Sequence, residues 1–291
     1  MGTFTTLLAS GVAYGAVVAV VALGILVLVK ATGVINLAHG GLLSIAPYLA
    51  LWAMVDMSLP LGIAYAIGLA GSVVVALLLE RLVSGPMKGK SPLVLLVATL
   101  AVALVITALL SVWQGADPKG LRGPVGTGYL EIAGVSISAQ RALVIVVSAL
   151  AMAAAVWLFE RTDFGRQVRA LAVDREMARL CGIRVNRVAR LAFVLSGLLA
   201  GVAGLLLAPI TGVDLELGFN TMLVAFAAAT IGGFDNLRGT TIAAVAIGVL
   251  QQVVGYYFLP DYADILPFAV MLVAVVVRPA GVFSAVRTVR V

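Results

Sequence analysis

Nine stretches of the chain are almost wholly apolar, and its polar residues collect in the intervals between them. The stretches are Leu7–Val29, Leu37–Val55, Leu61–Val83, Leu93–Val112, Ala142–Phe159, Leu191–Ala208, Phe219–Ile231, Thr240–Phe258 and Ile265–Val277. Crossing about 30 Å of hydrocarbon takes roughly 20 helical residues. The seventh and ninth fall well short, so each is an extended or broken helix or a re-entrant segment. The pattern predicts an all-α integral membrane protein, a polytopic helical bundle of eight or nine spans, some discontinuous or short. It forms a single transmembrane domain over residues 1–291. Two intervals are longer than a turn: a Gly-rich loop at 114–140 and a helix-prone segment at 160–190.

Composition agrees with the pattern. Of 291 residues 63% are apolar and 11% charged, against about 45–50% and about 25% in soluble domains. Residues 1–6 carry no Lys or Arg, and the run behind them is too long for a signal-peptide core, so it reads as a first permanent span. The single cysteine, Cys181, excludes an intrachain disulfide and any CxxC centre.

The net charge of +6 acquires meaning from its placement. With nine spans, one set of intervals holds Lys30, Arg81, Lys88, Lys90, Arg161, Arg166, Arg169, Arg175, Arg179, Arg184, Arg187, Arg190, Arg238, Arg278, Arg287 and Arg290. The opposite set holds only Lys119, Arg122 and Arg141. Basic residues favour the cytoplasmic side, so the C-terminus is expected inside, the N-terminus in the periplasm, 160–190 inside and 114–140 outside. The basic balance is thus topogenic, and a nucleic-acid partner is not expected.

Within 160–190, Val168, Leu171, Ala172, Arg175, Ala178 and Arg179 recur at helical spacing, and Gly182 follows where a helix would stop. An amphipathic helix with a small-residue face can insert into a partner's groove, or a basic loop of this kind can lie on anionic lipid. Pattern alone leaves both open.

Uncharged polar residues in or beside the spans include Asn36, His39, Ser44, Thr99, Asn220, Thr221, Thr230, Gln251 and Gln252. They suit a low-affinity translocation path, and equally they bind helices to one another at about 0.6 kcal/mol each. His39, the only histidine, is either a proton-sensitive gate or a bridge between helices; the lack of mid-span carboxylates favours the bridge. The same lack argues against a secondary transporter or channel. One His and one Cys cannot furnish most intramembrane catalytic sets, so no catalytic residue, metal or cofactor is expected. Ser84-Gly-Pro-Met-Lys-Gly-Lys-Ser91 approaches a phosphate-binding loop, but its first glycine is displaced by one and no strand precedes it. Any ATPase must be another polypeptide.

Four blocks in order along the chain resemble the branched-chain (hydrophobic) amino acid permease family of ABC importers, which is related to the ribose-type sugar permeases. They are Thr32-Gly-Val-Ile-Asn-Leu-Ala-His-Gly40; Ala178-x-x-x-Gly182-Ile183 leading into Leu191-Ala-Phe-x-x-Ser196-Gly-x-x-Ala200-Gly; Ala225-Phe-Ala-Ala-Ala-Thr-Ile-Gly-Gly-Phe234; and Arg278-Pro-Ala-Gly-Val-Phe283. The resemblance implies the permease subunit of an ATP-driven importer in the bacterial inner membrane. Its implied partners are ABC ATPase subunits, a second and related permease chain, and an extracytoplasmic solute-binding protein. It also implies a coupling helix at Arg175, Ala178, Arg179, Gly182 and Ile183. Gly41 stands where the family usually has an acidic residue or Gln, and Asp235-Asn236 where it has Gly-Ser. Urea, short amides, aromatic acids or a sugar therefore remain alternatives to a hydrophobic amino acid as cargo.

Overall fold

The computed structural model describes residues 2–87, 90–126, 128–132, 135–258, 263, 265–278 and 281–283. Lys88, Arg287 and Arg290 of the charge argument, and Pro279 and Ala280 of the last block, lie outside them. All nine apolar stretches are helices: α1 (Gly2–Thr32), α2 (His39–Val55), α3 (Leu61–Leu79), α4 (Pro92–Gln114), α5 (Ala139–Arg161), α8 (Val185–Thr211), α9 (Leu217–Gly232), α10 (Leu237–Tyr257) and α11 (Leu266–Val277). The basic segment supplies α6 (Asp163–Val173) and α7 (Arg175–Leu180). Among the described residues six helices are long and apolar enough to cross a membrane, α3 with the π-turn Glu80–Ser84 that continues it; α2, α9 and α11 are shorter.

The bundle has an inside and an outside, although lipid and core are equally apolar. Val17 to Leu23 of α1 are wholly buried, and α8 is nearly as enclosed. Helices α3, α4 and α5 are mostly exposed along their lengths, with Val74, Leu104 and Leu150 facing outward. Small residues allow the inner contacts. A Cβ on Gly11 would lie 2.7 Å from Val249 Cα, and one on Gly15 2.7 Å from Val245 Cα, so α1 and α10 meet backbone to backbone. Gly197 and Gly201 do the same for α8 against Ser72 and Ala76 of α3.

Two backbone interruptions sit inside this apolar mass, where polar groups away from water need partners or cover. The link from α1 to α2 leaves the helix at Gly33. Asn36 Oδ1 accepts from Ala38 N at 3.0 Å, and Thr99 Oγ1 of α4 accepts from Leu37 N at 3.1 Å. Within α2, Pro47 has no N–H for the carbonyl of Leu43. Gly204 of α8 packs directly onto that carbonyl.

The loop at 114–140 contains a two-stranded antiparallel hairpin, β1 (Tyr129–Ile132) and β2 (Val135–Ser138), that the apolar pattern did not predict. Lys119 and Val213 exchange backbone hydrogen bonds of 2.9 and 2.8 Å, tying this loop to the α8–α9 turn. At the other end, Arg238 pairs with Glu160 at 2.9 Å, Lys30 with Asp235 at 3.5 Å and Arg190 with Glu80 at 3.9 Å. The basic intervals thus gather at one end of the bundle, the arginine-rich end, away from Lys119 and Arg122.

Candidate coupling element and the two cavities

The basic segment is not one helix. Asp174 is extended (φ −153°, ψ 117°) and divides α6 from α7. Its Oδ1 accepts from Glu176 N at 2.8 Å and Met177 N at 3.0 Å, so it caps the shorter helix. The other end closes as a Schellman turn: Ile183 N donates to Ala178 O and Gly182 N to Arg179 O, both at 3.0 Å, with Gly182 at φ +84°. The spacing Ala178-x-x-x-Gly182-Ile183 is therefore a stop signal, and α7 is six residues held at both ends.

Its orientation divides the residues that spacing put on one face. Val168, Leu171 and Ala178 are 0, 3 and 5% exposed and turned onto the bundle, whereas Ala172, Arg175, Arg179 and Gly182 are exposed. The outward apolar surface is Val173, Met177 and Leu180, at 73, 57 and 81% exposure, with Cys181 and Gly182 beside them. Helical spacing identifies the two faces of such a helix but not which one the bundle claims.

Arg175 joins this element to the core. Its Nη2 donates to Ala31 O at 2.8 Å, in the last turn of α1, where carbonyls lack intrahelical partners. Burial, with the like charge of Arg179 second, lowers its pKa from the ordinary arginine value. Arg179 and Ile183 line a cleft of about 560 Å³ with Arg184, Val185, Asn186, Arg187 and Arg190.

The polar residues proposed for a path separate into three groups. Asn36 and Thr99 line a cavity of about 550 Å³ at the arginine-rich end, with Glu80, Lys90, Arg175 and Arg179. Asn220 and Thr221, with Gln251 and Gln252, line one of about 680 Å³ at the opposite end, beside Asp214 and Glu216. His39 and Ser44 lie between, fully enclosed. His39 Nδ1 is 3.0 Å from Ser196 Oγ of α8, and its ring abuts Gly24 of α1, where a Cβ would lie 2.8 Å from Cε1. Ser44 Oγ accepts from Gly218 N of α9 at 3.1 Å. Thr230 lines neither cavity; its hydroxyl donates to Phe226 O at 2.9 Å within α9.

Two of the sequence's departures have local explanations. Asn236 caps α10 through Gly239 N at 3.0 Å and donates to Phe283 O at 2.9 Å, while Asp235 holds Lys30. A Cβ at Gly41 would lie 3.0 Å from Ile106 Cδ1 of α4. Glu80 was not singled out by its position near the end of an apolar run, yet it is only 7% exposed. A carboxylate that close to a span's end is a weak signal without the π-turn that rotates it inward.

An apolar girdle, a sealed middle and a doubly capped helix presented at one end define a multi-pass membrane protein. Among the described residues no group of three or more His, Cys, Asp or Glu could hold a metal ion. Residues 7–275 match the family described as "Branched-chain amino acid transport system / permease component". The chain is 30% identical to the high-affinity branched-chain amino acid transport system permease protein LivH of Escherichia coli (strain K12), over 94% of each. It is 29% identical to BraD of Pseudomonas aeruginosa, covering 95% of this chain and 94% of that one. The ribose import permease protein RbsC of Haemophilus influenzae is more distant, at 26% over 88% of this chain and 80% of its own. A solved structure, "PsaBC from Streptococcus pneumoniae in complex with Fab", shares the fold with TM-score 0.52 and 16% identity, covering 91% of this chain and 90% of that chain. The chain belongs to the branched-chain amino acid ABC transport permease family.

Proposed function

We propose that this chain is one of two permease subunits of an ATP-driven importer for branched-chain or other hydrophobic amino acids. The arginine-rich end faces the cytoplasm, the side that the distribution of basic residues favours, and the termini lie accordingly, N-terminus outside and C-terminus inside. ATPase chains dock on α7, a solute-binding protein delivers cargo to the opposite end, and a related permease covers part of the exposed girdle. The cargo follows the LivH and BraD relatives. The carrying observation is the outward surface of the basic segment: Val173 at the end of α6 and Met177 and Leu180 on α7 are exposed, an apolar patch suited to a docking partner.

Mechanistically, the ATPases close on nucleotide and push α7. Arg175 passes the displacement to the end of α1, and α1 carries it past Gly24 to His39 and α2. The bundle then exchanges outward-open and inward-open packings biased by nucleotide. Leu180→Asp should leave membrane insertion intact and abolish co-purification of the ATPase chains. Undiminished association would reject α7 as the docking element.

A further inference from the structure

The turn between α7 and α8 gathers positive charge that the transport cycle above does not use. Arg179, Arg184, Arg187 and Arg190 line one cleft of about 560 Å³, and none of its lining residues is acidic. From Met177 to Val213 the chain contains no Asp or Glu. Among the described residues, only Arg190 of the four has a carboxylate partner, Glu80 at 3.9 Å. Arg179, Arg184 and Arg187 are exposed. Like charges around one cleft raise each other's energy, and an anion seated between them relieves it.

The same face of α8 continues into the membrane as an apolar stripe. Leu191 and Leu198, 47 and 38% exposed, are the two exposed side chains between Leu191 and Ala208. Helical periodicity places both beneath Arg187 on one side of the helix. At about 1.5 Å per residue Leu198 lies about 16 Å from Arg187, roughly half of the 30 Å or so of hydrocarbon. Leu198 is also the middle residue of α8, which runs from Val185 to Thr211. The arginines therefore stand at the level of lipid headgroups, with one leaflet's depth of apolar surface beyond them. The stripe is one side chain wide on a helix otherwise turned inward, which suits an acyl chain better than another helix.

We infer that the α7–α8 cleft binds an anionic phospholipid, its phosphate diester held by Arg184 and Arg187 within reach of Arg179, and one acyl chain lying along Leu191 and Leu198. Guanidinium forks donate pairwise to phosphate oxygens, and basic pockets beside spans suit such headgroups. Arg184, at the N-cap of α8, contributes no side-chain cap, and the helix dipole there favours the same negative charge. A soluble phosphate, or an acidic face of the ATPase, would use the arginines and leave the stripe unused. A bound lipid would tie the turn after α7 to the start of α8, fixing to the bilayer the corner about which the coupling element moves. Assignment to the cytoplasmic leaflet rests on the orientation proposed above; the binding does not.

The test uses the detergent-purified protein with its co-purifying subunits, titrated with phosphatidylglycerol or phosphatidylcholine of equal chain length and read by native mass spectrometry. Wild type should retain phosphatidylglycerol saturably and in preference to phosphatidylcholine. Arg184→Gln with Arg187→Gln should weaken that retention about thirtyfold, the worth of two basic residues near a membrane surface. Leu198→Asn interrupts the stripe and should weaken it severalfold. Arg161→Gln with Arg166→Gln takes the same charge from exposed positions outside the cleft and should leave retention unchanged. Equal retention of both lipids by wild type, or unchanged retention in the Arg184 and Arg187 pair, would overturn the site. Equal loss in the Arg161 and Arg166 pair would reduce the effect to overall charge and overturn it as well. Displacement of the lipid by millimolar inorganic phosphate would mark a soluble-anion site. Loss of ATPase co-purification in the Arg184 and Arg187 pair, with lipid retention intact, would mark a protein contact, and either result refutes the lipid. Labelling of Cys181 from outside intact cells would instead refute the proposed orientation, leaving the retention measurement to decide this site separately.

Discussion

Replacing Arg175 with methionine isolates the link between the docking helix and the core. The substitution keeps an unbranched stem of similar bulk and removes the guanidinium that donates to Ala31 O at 2.8 Å. A hydrogen bond to a charged group contributes about 1.5–3 kcal/mol, and a cation at a helix C-terminus a further 0.3–1 kcal/mol or so. Because Arg175 is solvent-exposed, the lower part of that range applies, about 2 kcal/mol. That is roughly a thirtyfold change in how often α7 is seated against α1. The ATPases would then push a helix that yields locally. In proteoliposomes containing the full importer, ATP hydrolysed per solute imported should rise severalfold, with assembly and hydrolysis retained. Arg175→Lys keeps one donor and should fall between. An unchanged ratio in Arg175→Met, with the variant fully assembled, would refute transmission through Ala31.

Other expectations follow from the same geometry. Gly15→Val places a branched side chain where a Cβ alone would lie 2.7 Å from Val245 Cα; overpacking of this kind costs about 1–3 kcal/mol, and the thermal midpoint in detergent should drop, whereas Gly120→Ala, with nothing within 4 Å, should not move it. His39→Gln retains hydrogen bonding towards Ser196 and should preserve uptake and its pH profile; loss of pH dependence would mark His39 as a proton gate. Cys181 is exposed at the arginine-rich end, so in cells that express this chain without the ATPase subunits an impermeant maleimide should label it in inverted vesicles and not in intact cells. With Cys181→Ala, Asp117→Cys should show the reverse, and exchange of these patterns would invert the proposed orientation.

Much of the architecture was legible in the sequence because bilayer thickness translates directly into run length. Each of the nine apolar stretches is a helix whose ends differ from the run by a few residues, the differences being capping groups such as Ser91 before α4 and Asn236 before α10. The small-residue pairs at Gly11/Gly15 and Gly197/Gly201 also lie where helices touch. What run length does not encode is rotation. Ala178 was read with Gly182 as one surface, yet one turns inward and the other outward, since tertiary packing selects the face of a short helix. Glu80 was hidden for the same reason. The break at Asp174 depends on a side chain competing with the backbone for two N–H groups, which hydrophobic spacing does not register. The hairpin at 129–138 pairs two four-residue strands, too short for alternation to stand out.

The contact between Pro47 and Gly204 also sets a clock. As α2 enters the membrane, the Leu43 carbonyl has lost its helical donor, and the residue that covers it in the finished bundle is still unmade. At about 5–20 residues per second, ribosomes need on the order of ten seconds or more to reach Gly204. Through that interval the nascent second helix carries a carbonyl at bilayer depth that water, a translocon wall or a chaperone must attend. Truncated chains ending before α8 would lack that cover permanently.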